Sequence, residues 1–156
     1  MATEDFTAVL DEAGVRYERL MHAHTETAVA EAEALGLAPD DVAKTLVVAT
    51  PEGYIRAVIP ASERLDLGKL RTVLGGASKK VHLASEEDTA RDYPEFDLGA
   101  VPPLGGSRRD PVVIDSRVNE RDSVVIEAGS HEESLRIATA DLVRVADAEI
   151  ADISAD

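Results

Sequence analysis

Apolar positions along this chain recur with two periods, one near 3.6 residues and one of two, and the switches between them lay out the elements. Phe6, Val9, Leu10 and Ala13 share one helical face, so residues 3–14 predict a first helix, with Thr3 as cap, Glu4 and Asp5 in the first turn and Gly14 as stop. Residues 15–21 alternate less cleanly and predict a strand. A second helix starts at Thr25 or Thr27 and runs through Leu35 to Gly36, and Asp40 and Asp41 cap one further short turn. Residues 45–49 and 54–60 are β-rich runs around Thr50-Pro51-Glu52-Gly53, the pattern of a hairpin. Leu46-Val47-Val48 and Ala57-Val58-Ile59 are apolar on both faces, which suits the middle of a sheet.

Beyond the hairpin the pattern shortens. Residues 66–74 predict a helix with Leu67, Leu70 and Leu74 inward, stopped by Gly75-Gly76. Residues 79–83 form a short basic strand, and Ser85 opens a short helix that ends before Pro94. Residues 111–115, 123–128 and 135–137 are three more strands, the second ended by Gly129-Ser130. Residues 139–145 predict a helix, and 150–153 a terminal segment. Six or seven short strands thus interleave with four or five short helices. Their spacing is not regular βαβ, so the expected fold is α/β of an α+β kind, with a mixed, curved sheet. With 156 residues and no visible repeat or linker, the expectation is one domain over 1–156.

Two places break the pattern. Lys44 sits where the chain enters an apolar β-run. A lysine there either snorkels at a strand edge or presents its cation to a phosphate or carbonyl oxygen. In Gly99-Ala100-Val101-Pro102-Pro103-Leu104-Gly105-Gly106, two prolines stand between glycines, which suits neither helix nor central strand. The segment is a shaped loop, and such loops either connect elements or carry ligands on exposed N–H groups.

Composition narrows the chemistry. The net charge is −15, from 31 acidic and 16 basic residues, and such a surface repels long polyanions. Aromatics are only 3%, leaving few rings to stack on bases. There are no cysteines, which removes disulfides, thiolate metal sites and a cysteine nucleophile. The acidic N-terminus lacks a signal-peptide pattern and no apolar run is long enough for a span, so a cytoplasmic protein away from membranes is expected. His22-Ala23-His24, if extended, points both imidazoles to one side, where they offer a zinc pair. Gly129-Ser130-His131 closes a strand either as a plain turn or with glycine admitting a ligand to Ser130 or His131. Neither a Gly-x-Ser-x-Gly elbow nor a phosphate loop is present.

Taken in order, Lys44-Thr45-Leu46-Val47, Gly99-Ala100-Val101-Pro102-Pro103, Val112-Val113-Ile114-Asp115 and Gly129-Ser130 resemble the YbaK family, free-standing relatives of the editing domain of bacterial prolyl-tRNA synthetase. The resemblance spans nearly the whole chain. It implies a barrel-like mixed sheet and hydrolysis of the ester between a wrong amino acid, cysteine or alanine on tRNA(Pro) among them, and the 3′-terminal adenosine of a tRNA. It implies that Lys44 grips the tRNA 3′-end without acting as nucleophile. Gly99 to Pro103 then shapes the pocket and offers backbone N–H groups to the substrate. The catalytic set so implied is Lys44, Gly99, Pro103 and Gly129. Thr45, Ala100, Val101, Pro102, Ser130 and His131 bind substrate, and no metal or cofactor is called for. Leu104 stands where the family commonly has phenylalanine. Docking of the acceptor end falls to a few of Lys44, Arg56, Lys79, Lys80 and Arg108, with a prolyl-tRNA synthetase as candidate partner in trans. The rival readings are a non-catalytic tRNA- or ligand-binding module and a metal-dependent hydrolase built on His22 and His24.

Overall fold

Residue 42 begins the strand around which the sheet is laid, and two long-range pairings fix it. A computed structural model describes residues 2–76 and 80–155. Before this strand come α1 (Ala2–Glu12), β1 (Tyr17–Met21), α2 (Ala28–Ala34) and a 3-10 turn at Pro39–Asp41. The central hairpin is β2 (Val42–Thr50) and β3 (Gly53–Pro60). Next come α3 (Leu67–Val73), β4 (His82–Leu83), α4 (Glu86–Asp92), β5 (Val112–Asp115) and α5 (Ser116–Asn119). The chain closes with β6 (Ser123–Ser130), β7 (Glu133–Ala138), α6 (Thr139–Ala146) and β8 (Glu149–Ala151).

The strands form one curved, unclosed sheet in the order β1-β7-β6-β2-β3-β5-β8, with β4 added on β2. The hairpin is antiparallel from Ala43↔Pro60 to Thr50↔Gly53, as its Pro/Gly turn predicts. The pairs β2/β6, β3/β5 and β5/β8 are parallel, so the sheet is mixed. It has eight strands among the described residues, one more than the upper expectation, because residues 149–151 pair with β5 where the sequence predicts only a terminal segment. Strand β6 also runs on through Gly129 and Ser130, with an irregularity between Glu127 and Ser130.

Burial follows the predicted periods with local exceptions. Phe6 and Leu10 of α1 are fully buried, but Ala13 lies past the helix end and is exposed. Leu70 of α3 is fully buried, whereas Leu74, at the helix C-cap, turns to solvent. The helix α1 begins at Ala2, which places Thr3 inside it rather than at its cap. Thr27 caps α2 by accepting from the Ala30 N–H, and Asp66 and Ser85 cap α3 and α4 in the same way, each worth about 1 kcal/mol. Asp115 is fully buried and accepts from the N–H groups of Ile153 and Ser154 at 2.9 and 3.2 Å, which pins the last residues to β5. Lys79, counted in the basic strand, lies outside the described residues.

The register of β2 sets a half-buried lysine beside a buried carboxyl. Val42 pairs with Val125 and Ala43 with Ile126, so one residue further on Lys44 and Glu127 come beside each other. Side chains alternate across a sheet, so Val42, Lys44, Val125 and Glu127 share a face, and Thr45 points the other way. On that face α2 packs, burying Ala28 and Ala32 against Val42, Val125 and Ala61. The same helix faces Glu31 inward.

Candidate active site

A narrow cleft, with about 10 Å³ of space for a water-sized group, opens where α2, the bend of β6 and the loop at Gly99 meet. Its walls carry Gly99 and Ala100 on one side, Ser130 and His131 on another, and Glu31, Glu127 and His22 beneath.

The loop wall is built locally. The Ala100 N–H donates to the Asp97 carbonyl at 3.0 Å, closing a turn with Gly99 in third place at φ 84°. That backbone angle is what requires glycine. The space does not, since a Cβ there would meet the His131 ring at an ordinary 3.5 Å. The Asp97 N–H donates to the Gly129 carbonyl at 2.8 Å, tying the loop to β6. His131 clamps the same turn. Its Nε2–H donates to the Leu98 carbonyl at 2.6 Å, which leaves Nδ1 as the acceptor of the neutral ring. Ala100 has used its N–H and two prolines have none. Among the described residues, the Gly99 and Val101 N–H groups are the two in segment 99–103 that no acceptor meets.

The rest of the loop is structural. Val101 packs on Val47, Tyr93 and Phe96, and Leu104 joins the main core cluster with Val58 and Ile114. Pro102 and Pro103 are buried rather than on the cleft wall. The loop is stiff because of Arg56, a side chain only 1% exposed. Its guanidinium donates to the carbonyls of Pro102 at 3.1 Å and Gly105 at 2.9 Å, and to the Asp110 carboxylate at 3.2 Å. It also lies over the Tyr93 ring, 5.1 Å from its centre. Arg56 is therefore a corrected assignment: it is consumed inside the fold and cannot touch tRNA.

The floor of the cleft is acidic. Glu31 and Glu127 are 4% and 8% exposed. Glu31 Oε2 accepts from the Ser134 hydroxyl, which in turn lies 2.9 Å from His22 Nε2, and the His22 Nδ1–H donates to the Ala23 carbonyl at 2.8 Å. Burial pushes the carboxyl of Glu31 up, and the Ser134 hydrogen bond works against it. Burial pushes Glu127 well above the usual carboxylate range, the charge of Glu31 pushes it further, and Lys44 partly offsets both. Lys44 is half-buried next to that carboxyl. Desolvation lowers its pKa and Glu127 opposes the shift. Its Nζ reaches the Ala61 carbonyl at 3.4 Å.

The structure thus gathers Gly99, Ala100, Ser130 and His131 at one cleft, with Gly129 bracing the wall and Lys44 behind Glu127. It does not bring Thr45, Val101, Pro102 and Pro103 there. Thr45 is buried on the far face of β2. The histidine pair of the rival, metal-dependent reading is not formed. His22 is turned inward on Ser134, while His24 is half-exposed, donates to Glu26 at 2.6 Å and lies against the His131 ring. Among the described residues no group of three or more His, Asp or Glu side chains gathers as metal ligands would.

Six residues that line the cleft were not singled out from sequence for this role: His22, Thr25, Glu26, Thr27, Glu31 and Glu127. Glu127 carried a signal. It is a lone carboxylate at the end of an apolar run, Val124-Val125-Ile126, directly before Ala128-Gly129, and the logic that singled out Lys44 applies to it equally.

A family model described as the aminoacyl-tRNA editing domain matches residues 22–145, which takes in every residue of this cleft. A protein of Enterococcus faecalis named as a Cys-tRNA(Pro)/Cys-tRNA(Cys) deacylase, EbsC, is 28% identical over 127 residues, covering 79% of this chain and 74% of its own length. A protein of Escherichia coli K12 named multifunctional Ser/Thr-tRNA deacylase ProXp-y is 26% identical over 148 residues, covering 92% and 87%. A crystal structure described as a trans-editing enzyme for prolyl-tRNA synthetase superposes with a TM-score of 0.87 at 24% identity, covering 99% of this chain and 98% of that one, a likeness of fold.

Proposed function

This chain belongs to the aminoacyl-tRNA editing domain family, and on that premise we propose that it clears small amino acids wrongly attached to tRNA, cysteine or alanine on tRNA(Pro) among them. It is a hydrolase of the aminoacyl-tRNA deacylase type. Water adds to the ester carbonyl, the bond to the 3′-terminal adenosine breaks, and free amino acid and deacylated tRNA leave. A cysteine thiol or the terminal 2′-hydroxyl of the substrate can stand in as the attacking group.

One observation carries the reading: the glycine turn at residue 99 brings backbone to the mouth of a small cleft, with the Gly99 N–H group unclaimed. A free N–H group at that turn, turned to the oxygen on which charge develops, stabilises the addition step with no nucleophile from the protein. An aminoacyl ester is already reactive, so positioning and such a donor suffice. Lys44 supplies the nearby cation for the tRNA terminus. The size of the cleft favours small side chains, and the relatives are named for cysteine, serine and threonine. The candidate partner remains a prolyl-tRNA synthetase acting in trans.

A panel of tRNAs mischarged with Cys, Ala, Ser or Thr, alongside correctly charged bulky ones, tests this. The expected result is clearance of at least one small residue, with the bulky esters spared, and a loss of about 10²-fold in rate for Lys44→Ala. Clearance of none of them, or equal clearance of bulky residues, overturns it.

A further inference from the structure

The floor of the cleft poses a separate question. Glu31 Oε1 and Glu127 Oε2 are buried oxygens with no hydrogen-bond partner, and both carboxyls line the cleft. The basic nitrogen beside them is His22 Nε2, 4.0 Å from Glu31 Oε2, the oxygen that Ser134 already holds. Lys44 directs its Nζ to the Ala61 carbonyl instead. A buried carboxyl with an unused oxygen is costly unless a donor reaches it, and two together favour a cationic donor over a neutral one.

We propose that Glu31 and Glu127 form the seat for the α-ammonium group of the aminoacyl ester. This rests on the deacylase reading. An aminoacyl end carries one fixed feature beside its reacting carbonyl, a primary ammonium with three N–H donors. With the carbonyl at the Gly99 turn, that ammonium is directed to the floor, where the two unused oxygens accept from it. The Ser134–His22 pair holds Glu31 from behind and leaves its Oε1 for the substrate. Because burial makes both carboxyls hold protons more tightly than usual, an arriving ammonium draws them into the charged form, which a neutral group does not. The consequence is selection on the amine. An ester with a free ammonium is accepted, and one whose nitrogen is acylated, as at the end of a nascent peptide, is refused.

The test uses the mischarged tRNA cleared fastest, the same tRNA after nitrous-acid deamination, which puts a hydroxyl where the ammonium was, and its N-acetylated form. Each rate is divided by the spontaneous hydrolysis of that ester, since a free ammonium quickens hydrolysis by itself. The wild-type protein is expected to prefer the ammonium ester over both others by about tenfold or more, the least that one charge-assisted hydrogen bond supplies. Glu127→Gln and Glu31→Gln are expected to lose that preference, falling on the ammonium ester and holding on the hydroxy ester. Equal normalised rates in the wild type, or variants that lose both substrates alike, overturn the inference while leaving the deacylase reading standing. If no aminoacyl-tRNA is cleared at all, the deacylase reading fails first. The wild-type comparison needs no variant, so a misfolded Glu31→Gln protein does not spare the proposal.

Discussion

Glu127 is a carboxyl held inside a sheet, and its cost depends on pH. Its folded-state pKa lies well above the ordinary 4.5, with burial as the first cause and the charge of Glu31 as the second. Below the ordinary value the folded and unfolded chains both hold the proton, and the protonated form is the one the fold tolerates. As pH rises past that value the unfolded chain gives up its proton and the folded one keeps it, so stability falls until Glu127 ionises in the fold as well. Glu31 adds in the same direction. Glu127→Gln is therefore expected to be more stable than wild type at about pH 8, with the advantage gone near pH 4, where both forms are neutral. Urea midpoints at the two values measure it, and a pH-independent difference contradicts the assignment. The same residue shows why the site was only partly legible. Lys44 was recognisable because it opens an apolar run, but what it faces is set by a parallel pairing with β6, and no local pattern encodes that register. The histidines fail for a similar reason. His22 and His24 share a side only in extended backbone, and the chain bends there to bring His22 onto Ser134.

Among the elements, the loop after α4 illustrates how a side chain elsewhere gives a segment its shape. Its irregularity was evident from Pro102-Pro103 between glycines, and its place at the site followed from the resemblance. That it is held by Arg56 from the middle of β3 was not legible, since Ile55-Arg56-Ala57 looks like a strand with one outward cation. Arg56→Ala is expected to cost about 3 kcal/mol or more, because it strips donors from two buried carbonyls and a partner from buried Asp110. The loop then loosens and takes the Gly99 turn with it, so deacylation falls together with the urea midpoint. Full activity with normal stability shows the loop to be self-supporting. The elements themselves were largely legible, because caps at Thr27, Asp66 and Ser85 and the hairpin at Pro51–Gly53 are local signals. The strand β8 was not, as three residues show no alternation to speak of.

At the scale of the molecule, a net charge of −15 sets how it meets a polyanion. With Arg56 consumed internally, the cations left for an acceptor end are few. Two or three phosphate contacts on a single strand give a log–log salt slope near about −2 for tRNA binding, far shallower than a protein gripping the body of the tRNA shows. Titration of binding against potassium chloride measures it, and a slope several times steeper means that a larger surface takes part. Among the described residues no helix is long and apolar enough to cross a membrane.

The joint between α2 and β7 has a consequence in time. Glu31 and Ser134 stand 103 positions apart in the chain, and His22 and Ser134 stand 112 apart. Contacts that distant close late, after the hairpin and the helices have formed. A polypeptide still emerging from the ribosome therefore gains the ties of the Gly99 turn to Gly129 and His131 only shortly before the floor beneath it. Until Ser134 is free to pair, Glu31 has no partner, and a product cut short before β7 holds the loop without the cleft. The floor of the cleft is complete only once β7 has been made.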